Sequence, residues 1–359
     1  MNRIWKHKRT CSYLVILIIF ITTFPLPSNA QESSLPVAPI IIDNVPINTK
    51  YMMRDGQIHV PAIFFKHTGA QVDWNEIYRS VVFQAKDKKV AFPVGKNYTD
   101  EYDRVTRSWN RGILSSETIE FQNEVFVPLM EVAKKLDMDI SYDHKAKRTL
   151  ISTNLYVKSN GMNKRATSRK LVALTFDDGP EDYYTPKILD ILKEKGVLAT
   201  FFVVGYEINS YPDMMKRIVN EGHGIGNHTT THPDLRTKWS VDVRKEIVTT
   251  QEILLKTIGR KSDLFRPPFG AITKADIAIL NEIGMRNILW SVDTLDWSGL
   301  SGREIVNIVL RDVSPGGIIL QHNFQHERLL DGTVEALPVI IDELHEQGYT
   351  FVTVQTLLE

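Results

Sequence analysis

The sequence has almost no cysteine and no excess of charge of either sign. Cys11 is the only cysteine among 359 residues, and it lies near the N-terminus. Lysine and arginine together number 43 and match the 43 acidic residues, so the formal net charge is zero. This balance gives no basic bias toward nucleic acid, and we expect no nucleic-acid partner. The chain is long enough for two domains of ordinary size.

Long hydrophobic runs are also lacking, with one exception near the N-terminus. Four basic residues precede the 14-residue apolar stretch CSYLVILIIFITTF, and PLPSNA then ends in small residues, with Ser28 at −3 and Ala30 at −1. This pattern predicts a secretory signal peptide over residues 1–30. The alternative, an uncleaved anchor, is less favoured because the run is short for a bilayer span. Cleavage would remove Cys11, so we expect a secreted protein without disulfides, thiol chemistry or stable membrane insertion.

An internal repeat follows the signal peptide. Residues 59–83 (HVPAIFFKHTGAQVDWNEIYRSVVF) resemble residues 126–151 (FVPLMEVAKKLDMDISYDHKAKRTLI). Each unit reads as a strand, a short amphipathic helix and two more strands. Neither unit could bury a face alone, so we predict one small α+β domain over residues 31–155.

This repeat resembles the stalk-type repeat of copper amine oxidases and of many bacterial cell-surface proteins. We see no histidine cluster and no tyrosine cofactor motif in it, so the resemblance implies no copper chemistry. A role as a spacer or wall-binding module is favoured over a catalytic role.

The second half of the chain alternates strands and helices. Residues 156–170 are polar and basic and are predicted to be a linker. From residue 171 to residue 359, seven apolar strand candidates alternate with helical stretches, which indicates a parallel sheet covered on both faces. We predict an α/β fold, an incomplete (β/α)7 barrel, with a doubly wound sheet as the alternative. In either fold, reactive residues are expected at the carboxyl ends of the strands.

The first strand candidate ends in LTFDDGP, with Asp177 and Asp178 side by side. Burying two adjacent carboxylates is costly unless a cation compensates. The third strand candidate ends in HTTTH, whose His228 and His232 are one helical turn apart if the segment is helical. Two histidines and one carboxylate are a three-ligand set typical of catalytic zinc. Because adjacent strand residues point to opposite faces, we expect one aspartate to bind metal and the other to act as a base.

Further polar residues follow other strand candidates. Arg266 in FRPPFG can hold the base aspartate through its charge. WSVDTLDW supplies Asp296 and Trp297, and IILQHN supplies His322, a histidine away from the metal pair that a carboxylate can orient as a general acid. The alternative for each residue is a structural role, with Arg266 as a solvated side chain in a turn, His322 as a structural histidine and Trp297 as a core residue. The functional role expected for Trp297 is a stacking surface for a sugar ring.

TFDDGP, HTTTH, RPPFG, DTLDW and LQH occur in the order and spacing of NodB-like polysaccharide deacetylases, carbohydrate esterase family 4. Residues 171–359 are therefore identified as resembling a member of this family. The resemblance implies that Asp177 is the catalytic base. It also implies that Asp178, His228 and His232 bind Zn²⁺ or another divalent metal such as Co²⁺.

The same resemblance implies roles for the remaining candidates. Arg266 would orient the base, His322 would be the catalytic acid, and Asp296 would tune that acid. Trp297 and Leu320 would line the pocket for the acetyl group.

Two positions depart from the family pattern. The resemblance implies that the backbone N–H of Phe269 helps to hold the oxyanion, although the commoner residue there is tyrosine. Asn323 replaces the acid that usually follows the histidine, which is expected to alter hydrogen bonding near His322.

The resemblance implies a hydrolase that removes acetyl groups from N-acetylglucosamine in a cell-wall glycan and releases acetate. Peptidoglycan is the favoured substrate and partner, because a secreted, cysteine-free enzyme with a stalk-like module is typical of a Gram-positive cell surface. Alternatives are chitin oligomers, poly-N-acetylglucosamine, the muramic acid residue, O-acetyl esters of a glycan, and a wall-binding module without catalysis.

Overall fold

The computed structural model describes residues 34–325 and 329–359. Residues 36–359 belong to a single compact unit. The predicted signal peptide, residues 1–30, lies outside the described residues. Within the described part of the chain, no helix combines the length and the hydrophobicity needed to cross a bilayer.

The N-terminal half is built from short strands in three sheets, with the orders β12-β13-β1-β2, β10-β11-β4-β3 and β5-β6-β7-β8-β9. Strand pairing within these sheets is antiparallel except between β1 and β13. In chain order the strands are β1 (Val37–Ile42), β2 (Val45–Lys50), β3 (Met52–Arg54), β4 (Gln57–Pro61), β5 (Gln71–Asn75), β6 (Ser80–Ala85), β7 (Lys88–Pro93), β8 (Tyr98–Asp103), β9 (Ser108–Ile113), β10 (Ile119–Phe121), β11 (Glu124–Pro128), β12 (Asp139–Asp143) and β13 (Arg148–Ser152).

The two sequence repeats contain the same series of elements. The first runs through β4, the 3-10 helix Ala62–Thr68, β5 and β6, and the second runs through β11, helix α1 (Leu129–Lys135), β12 and β13. Strands β4 and β11 pair with each other. Phe65 from the first repeat and Val127 and Val132 from the second lie in one buried cluster. The repeats therefore share a core, and their relation to amine-oxidase stalk modules stays a prediction.

The C-terminal half contains one parallel sheet flanked by helices. Its strand order is β14-β19-β18-β17-β16-β15-β21-β20, and β22 pairs with the start of β15. The strands are β14 (Gly161–Met162), β15 (Leu171–Asp177), β16 (Thr200–Val203), β17 (Gly224–Asn227), β18 (Leu264–Phe265), β19 (Arg286–Ile288), β20 (Val292–Asp293), β21 (Gly317–His322) and β22 (Thr350–Phe351). The helices are α2 (Tyr184–Lys195), α3 (Gly205–Ser210), α4 (Pro212–Asn220), α5 (Ser240–Ile258), α6 (Lys274–Ile283), α7 (Gly302–Asp312), α8 (Asp331–Glu346) and α9 (Val354–Leu357).

This α/β arrangement agrees with the predicted fold class, but three segments differ from the sequence pattern. The predicted strand over residues 287–293 is divided into β19 and β20. At the end of β19, the carbonyl groups of Ile288 and Leu289 accept hydrogen bonds from the buried guanidinium of Arg266 at 3.1 Å each. Because these carbonyls bond to a side chain and not to a neighbouring strand, the strand is interrupted there.

The other two differences lie at the ends of the half. The apolar run over residues 350–358 contains only the two residues of β22, because Thr353 then caps α9 by accepting a hydrogen bond from the N–H of Thr356 at 3.2 Å. Part of the predicted linker, residues 156–170, forms β14 and pairs with β19. That segment is therefore an edge of the sheet rather than a free connection.

Buried polar contacts join the two halves. Lys66 of the 3-10 helix is fully buried, and its Nζ lies 2.8 Å from Oδ1 of Asp276 in α6. The same ammonium donates to the carbonyl groups of Leu235 at 2.6 Å and Lys238 at 2.9 Å. Ser240 is the first residue of α5, and its hydroxyl accepts a hydrogen bond from the N–H of Val72 at 3.0 Å.

We expect Lys66→Met to destabilise the protein by about 3–5 kcal/mol, because it leaves the carboxylate of Asp276 buried without a cation. The free energy of unfolding from urea titration measures this effect. Lys50→Met is the matched control: Lys50 pairs with Glu124 at 2.7 Å, but its side chain is 51% exposed, so the loss should be below about 1 kcal/mol. Equal stability of the two variants would contradict a role for Lys66 in joining the halves.

Candidate active site

Several functional candidates lie at the carboxyl edge of the parallel sheet. Asp177 and His322 end β15 and β21, and the two residues are direct partners in the register of this parallel pair. His228 follows the end of β17, and Arg266 follows the end of β18. Parallel strands bring their carboxyl ends to one edge, so residues distant in the sequence meet there.

A cavity of about 710 Å³ opens at this edge. Eight of the ten residues proposed from the sequence line it: Asp177, Asp178, His228, His232, Phe269, Trp297, Leu320 and His322. The other two, Arg266 and Asp296, lie behind this lining and contact Asp177 and His322. The structure thus brings all ten candidates into one site.

Asp178 and the two histidines form the tightest cluster of the cavity. Oδ1 of Asp178 lies 3.3 Å from Nε2 of His228 and 3.1 Å from Nε2 of His232. Alternation along a strand does not explain this position, because β15 ends at Asp177. Asp178 has a φ of +80°, and this left-handed conformation turns its carboxylate toward the same cavity as that of Asp177.

The segment that carries the two histidines is a loop and not the helical turn that their spacing suggests. Thr229 and His232 have φ values of +69° and +56°. The loop is held by Glu246 of α5, whose carboxylate accepts hydrogen bonds from the N–H groups of Thr230 and Thr231 at 2.8 Å each. Glu246 was not found from the sequence, since nothing in its surroundings distinguishes it from other helix carboxylates.

The protonation of His228 can be assigned from its partner. Nδ1 lies 2.7 Å from the carbonyl oxygen of Arg266, and a carbonyl can only accept, so Nδ1 carries the proton. In the neutral ring, Nε2 then presents a lone pair to Oδ1 of Asp178, a buried oxygen without a hydrogen-bond donor. An electron pair facing an anionic oxygen is unfavourable unless a cation lies between them.

This donor set fits a divalent metal. One ligand atom from each of Asp178, His228 and His232 lies within 4.8 Å of the others. Imidazole nitrogen and carboxylate oxygen are both ligand types that Zn²⁺ binds in proteins.

Arg266 fixes the second aspartate. Its guanidinium is fully buried and donates from Nη1 to Oδ1 of Asp177 at 2.7 Å and to the hydroxyl of Thr175 at 2.8 Å. It also stacks over the ring of Phe202, 3.9 Å from the centroid. Asp177 is thus held by a cation that is not a metal, while its Oδ2 lies 3.8 Å from Nε2 of His228.

Asp296 orients His322 on the other side of the cavity. Its Oδ1 lies 2.7 Å from Nδ1 of His322, and its Oδ2 accepts hydrogen bonds from the backbone N–H of His322 at 2.9 Å and the hydroxyl of Thr333 at 2.8 Å. Burial lowers the pKa of His322, but the charge and hydrogen bond of Asp296 outweigh it, and the pKa is raised to about 9. The imidazole is consequently protonated at neutral pH, with Nε2 as a proton donor.

The remaining predicted residues form walls of the cavity. Leu320 is buried on β21, whereas Trp297 is exposed on the loop after β20. Phe269 is 68% exposed and has a φ of +60°. Its ring packs edge-on against His232 with centroids 4.8 Å apart, so the side chain contacts a residue of the cluster in addition to any role of its backbone.

Other lining residues were not proposed from the sequence. Tyr206 and Glu207 follow the end of β16, and Trp290 lies between β19 and β20. Phe324 and Gln325 follow β21. The position of Tyr206, Glu207, Phe324 and Gln325 after the carboxyl ends of strands is the signal that could have identified them.

Asn323, which departs from the family pattern, forms two hydrogen bonds through its side-chain amide. Its Oδ1 accepts a hydrogen bond from the N–H of Gly179 at 3.2 Å, and its Nδ2 donates to the hydroxyl of Thr185 at 2.9 Å. A carboxylate at this position could accept the hydrogen bond from Gly179 but could not donate one to Thr185. The amide thus links the loop after Asp178 to the start of α2, beside the site.

Comparison with known proteins agrees with these features. Residues 164–288 match the model of the polysaccharide deacetylase family. A peptidoglycan-N-acetylglucosamine deacetylase of Bacillus cereus is 44% identical over 188 residues, which cover 52% of this chain and 68% of the relative. A peptidoglycan-N-acetylmuramic acid deacetylase of Bacillus subtilis is 36% identical over 196 residues, covering 54% of this chain and 73% of the relative.

A similar fold is found in a crystal structure of a peptidoglycan N-acetylglucosamine deacetylase bound to an N-hydroxybenzamide. The TM-score is 0.54 and the sequences are 42% identical, with 55% of this chain and 92% of that chain covered. The motifs, the parallel sheet and the relatives agree. The chain belongs to the polysaccharide deacetylase family.

Proposed function

We propose that the protein removes acetyl groups from N-acetylglucosamine residues of peptidoglycan by metal-dependent hydrolysis. One observation carries this proposal: a carboxylate held by arginine and a protonated imidazole stand on neighbouring strands beside a cluster of metal-ligand type. Amide hydrolysis needs a base for water and an acid for the departing amine, and this pair supplies both. The Bacillus cereus relative, which is named for this substrate, is more similar to the chain than the relative named for muramic acid.

Asp177 acts as the general base. Arg266 occupies Oδ1, which leaves Oδ2 on the side of His228 to take a proton from the attacking water. The pairing with Arg266 fixes the orientation of the carboxylate, so no reorganisation is needed when the water attacks the acetamide carbon. The backbone N–H of Phe269 contributes to stabilising the oxyanion.

His322 acts as the general acid. Asp296 holds Nδ1, so the proton on Nε2 is the one given to the departing sugar amine. The C–N bond breaks as the nitrogen is protonated, which yields acetate and a free amine on the sugar. Trp297 and Leu320 enclose the acetyl group during this step.

Asp178, His228 and His232 would hold the metal. When bound there, Zn²⁺ or Co²⁺ would polarise the acetamide carbonyl and acidify water. The hydrogen bond from Nδ1 of His228 to the carbonyl of Arg266 fixes the ring orientation of that ligand. Arg266 therefore supports both the base and one ligand.

The proposed substrate requires that the protein be secreted. Peptidoglycan lies outside the membrane, and residues 1–30 have the features of a signal peptide. We infer that the mature protein acts at the cell wall of a Gram-positive bacterium, with the N-terminal half as part of the secreted enzyme.

We expect zinc-loaded protein to release acetate from purified peptidoglycan, and Asp177→Asn to lose about 10²–10⁴-fold in kcat, the usual contribution of a positioned base. Asp182→Asn, an exposed carboxylate on the following turn, is the matched control and should retain activity. Chitooligosaccharides and acetylxylan serve as competing substrates. If acetate were released only from muramic acid or only from acetylxylan, the proposed substrate would be wrong. If no glycan released acetate, the proposed reaction would be refuted.

Metal content gives a second test. We expect His228→Ala to lose stoichiometric zinc, because two ligands remain in place of three. His144→Ala, an exposed histidine of the N-terminal half, should bind zinc as the unaltered protein does. Elemental analysis after dialysis measures both, independently of activity. Full zinc occupancy in His228→Ala would remove this residue from the ligand set.

The pH profile tests the acid. The general acid must be protonated, so kcat/KM should fall as the pH rises through the raised pKa of His322, at about 9. Asp296→Asn removes the carboxylate that raises this pKa, so we expect the alkaline limb of the profile to move to lower pH. An alkaline limb at the same pH in both proteins would show that another group supplies the proton.

A further inference from the structure

The five-stranded sheet β5–β9 has two faces of different character. One face carries Val72, Val81, Phe83, Val90 and Phe92, which are all buried in the core of the N-terminal half. Since side chains alternate along a strand, the residues between them point to the opposite face. That face carries polar and aromatic side chains together with Val82, Ala91 and Pro93, and none of its lining residues lines the candidate active-site cavity.

A groove of about 600 Å³ runs along this outer face. Trp109 on β9 is 47% exposed, and Tyr78 in the turn between β5 and β6 is 73% exposed. The ring of Tyr102 packs against Trp109 with centroids 5.2 Å apart and supports it. The lining also includes the amide side chains of Asn75 and Gln84. Exposed aromatic rings beside planar amides are suited to a ligand with apolar ring faces and many hydroxyl groups.

The charges of the groove balance. Two acids, Asp73 and Asp100, face two bases, Lys89 and Arg111. Nε of Arg111 lies 3.2 Å from Oδ1 of Asp100, and its guanidinium stacks over the ring of Tyr98 at 3.8 Å. A groove that carries equal numbers of acidic and basic side chains favours a neutral ligand over a polyanion such as nucleic acid or teichoic acid.

We propose that this groove binds a polysaccharide chain of N-acetylhexosamine units, separately from the catalytic cavity. Pyranose rings stack on Trp109 and Tyr78, while Asn75 and Gln84 bond to hydroxyl and acetamido groups. The inference rests on the proposed function in one respect, that the substrate is a polymer. A polymer extends beyond a cavity of about 710 Å³, and a second contact on the same compact unit raises its local concentration at the enzyme.

Binding to insoluble glycan tests this groove. We expect Trp109→Ala to weaken co-sedimentation of the zinc-loaded protein with chitin and with peptidoglycan sacculi by about tenfold in Kd, which corresponds to about 1.4 kcal/mol. Ile113→Ala is the matched control, because Ile113 lies on the same strand and face and is 84% exposed. Tyr78→Ser is the second variant if Trp109→Ala does not fold, since Tyr78 lies in a turn. Unchanged binding by the folded variants would overturn the proposal.

Kinetics separate this site from the catalytic one. With a short soluble substrate, tri-N-acetylchitotriose, Trp109→Ala should keep the kcat and KM of the unaltered protein. With sacculi, KM should rise about tenfold at constant kcat. An equal loss on both substrates would assign Trp109 to the catalytic site and overturn the proposal.

A binding loss on sacculi but not on chitin, which has no peptide, would mean that the groove binds the peptide. Absence of acetate release from every substrate would refute the catalytic function and leave the co-sedimentation test valid.

Discussion

The site depends on one buried cation, the guanidinium of Arg266. A fully buried charge is costly unless it is paired and its donors are satisfied. Arg266 meets this requirement through Asp177, Thr175 and two backbone carbonyls. The guanidinium contacts also shape the site, because they fix the carboxylate and interrupt the strand over residues 287–293. The backbone carbonyl of Arg266 in addition accepts a hydrogen bond from Nδ1 of His228. The proposed base, one metal-ligand candidate and the course of the sheet are therefore coupled through one residue.

A second buried cation links the N-terminal half to the same region. Lys66 contacts the carbonyls of Leu235 and Lys238 in the segment that follows His232, and it pairs with Asp276 in the helix that follows Phe269. Each segment follows a residue that lines the cavity. The N-terminal half is thus more than a spacer in structural terms, because it supplies the partner of a buried carboxylate in a helix that follows this lining.

The sequence predicted the parts of the site that obey local rules. Strand-end carboxylates and histidines in a β/α pattern meet at one edge whatever the details of the sheet, so Asp177, Asp178 and His322 could be placed together. The conformation of Asp178 could not be predicted, since the sequence marks neither its left-handed φ nor the contacts of its carboxylate with two distant histidines. The pairing of Lys66 with Asp276 joins residues 210 positions apart, and no periodicity in the sequence marks such a contact.

The two adjacent aspartates illustrate how environment separates chemically identical groups. Asp177 ends a strand, is neutralised by an arginine and keeps one oxygen directed at the cavity. Asp178 leaves the strand, faces two imidazoles and carries a buried oxygen without a hydrogen-bond donor. A charge paired with guanidinium has no need of a metal, whereas a charge between two ring nitrogens requires a proton or a metal. Adjacent positions therefore supply the proposed base and a proposed metal ligand from the same residue type, because one backbone turn places their carboxylates in different electrostatic surroundings.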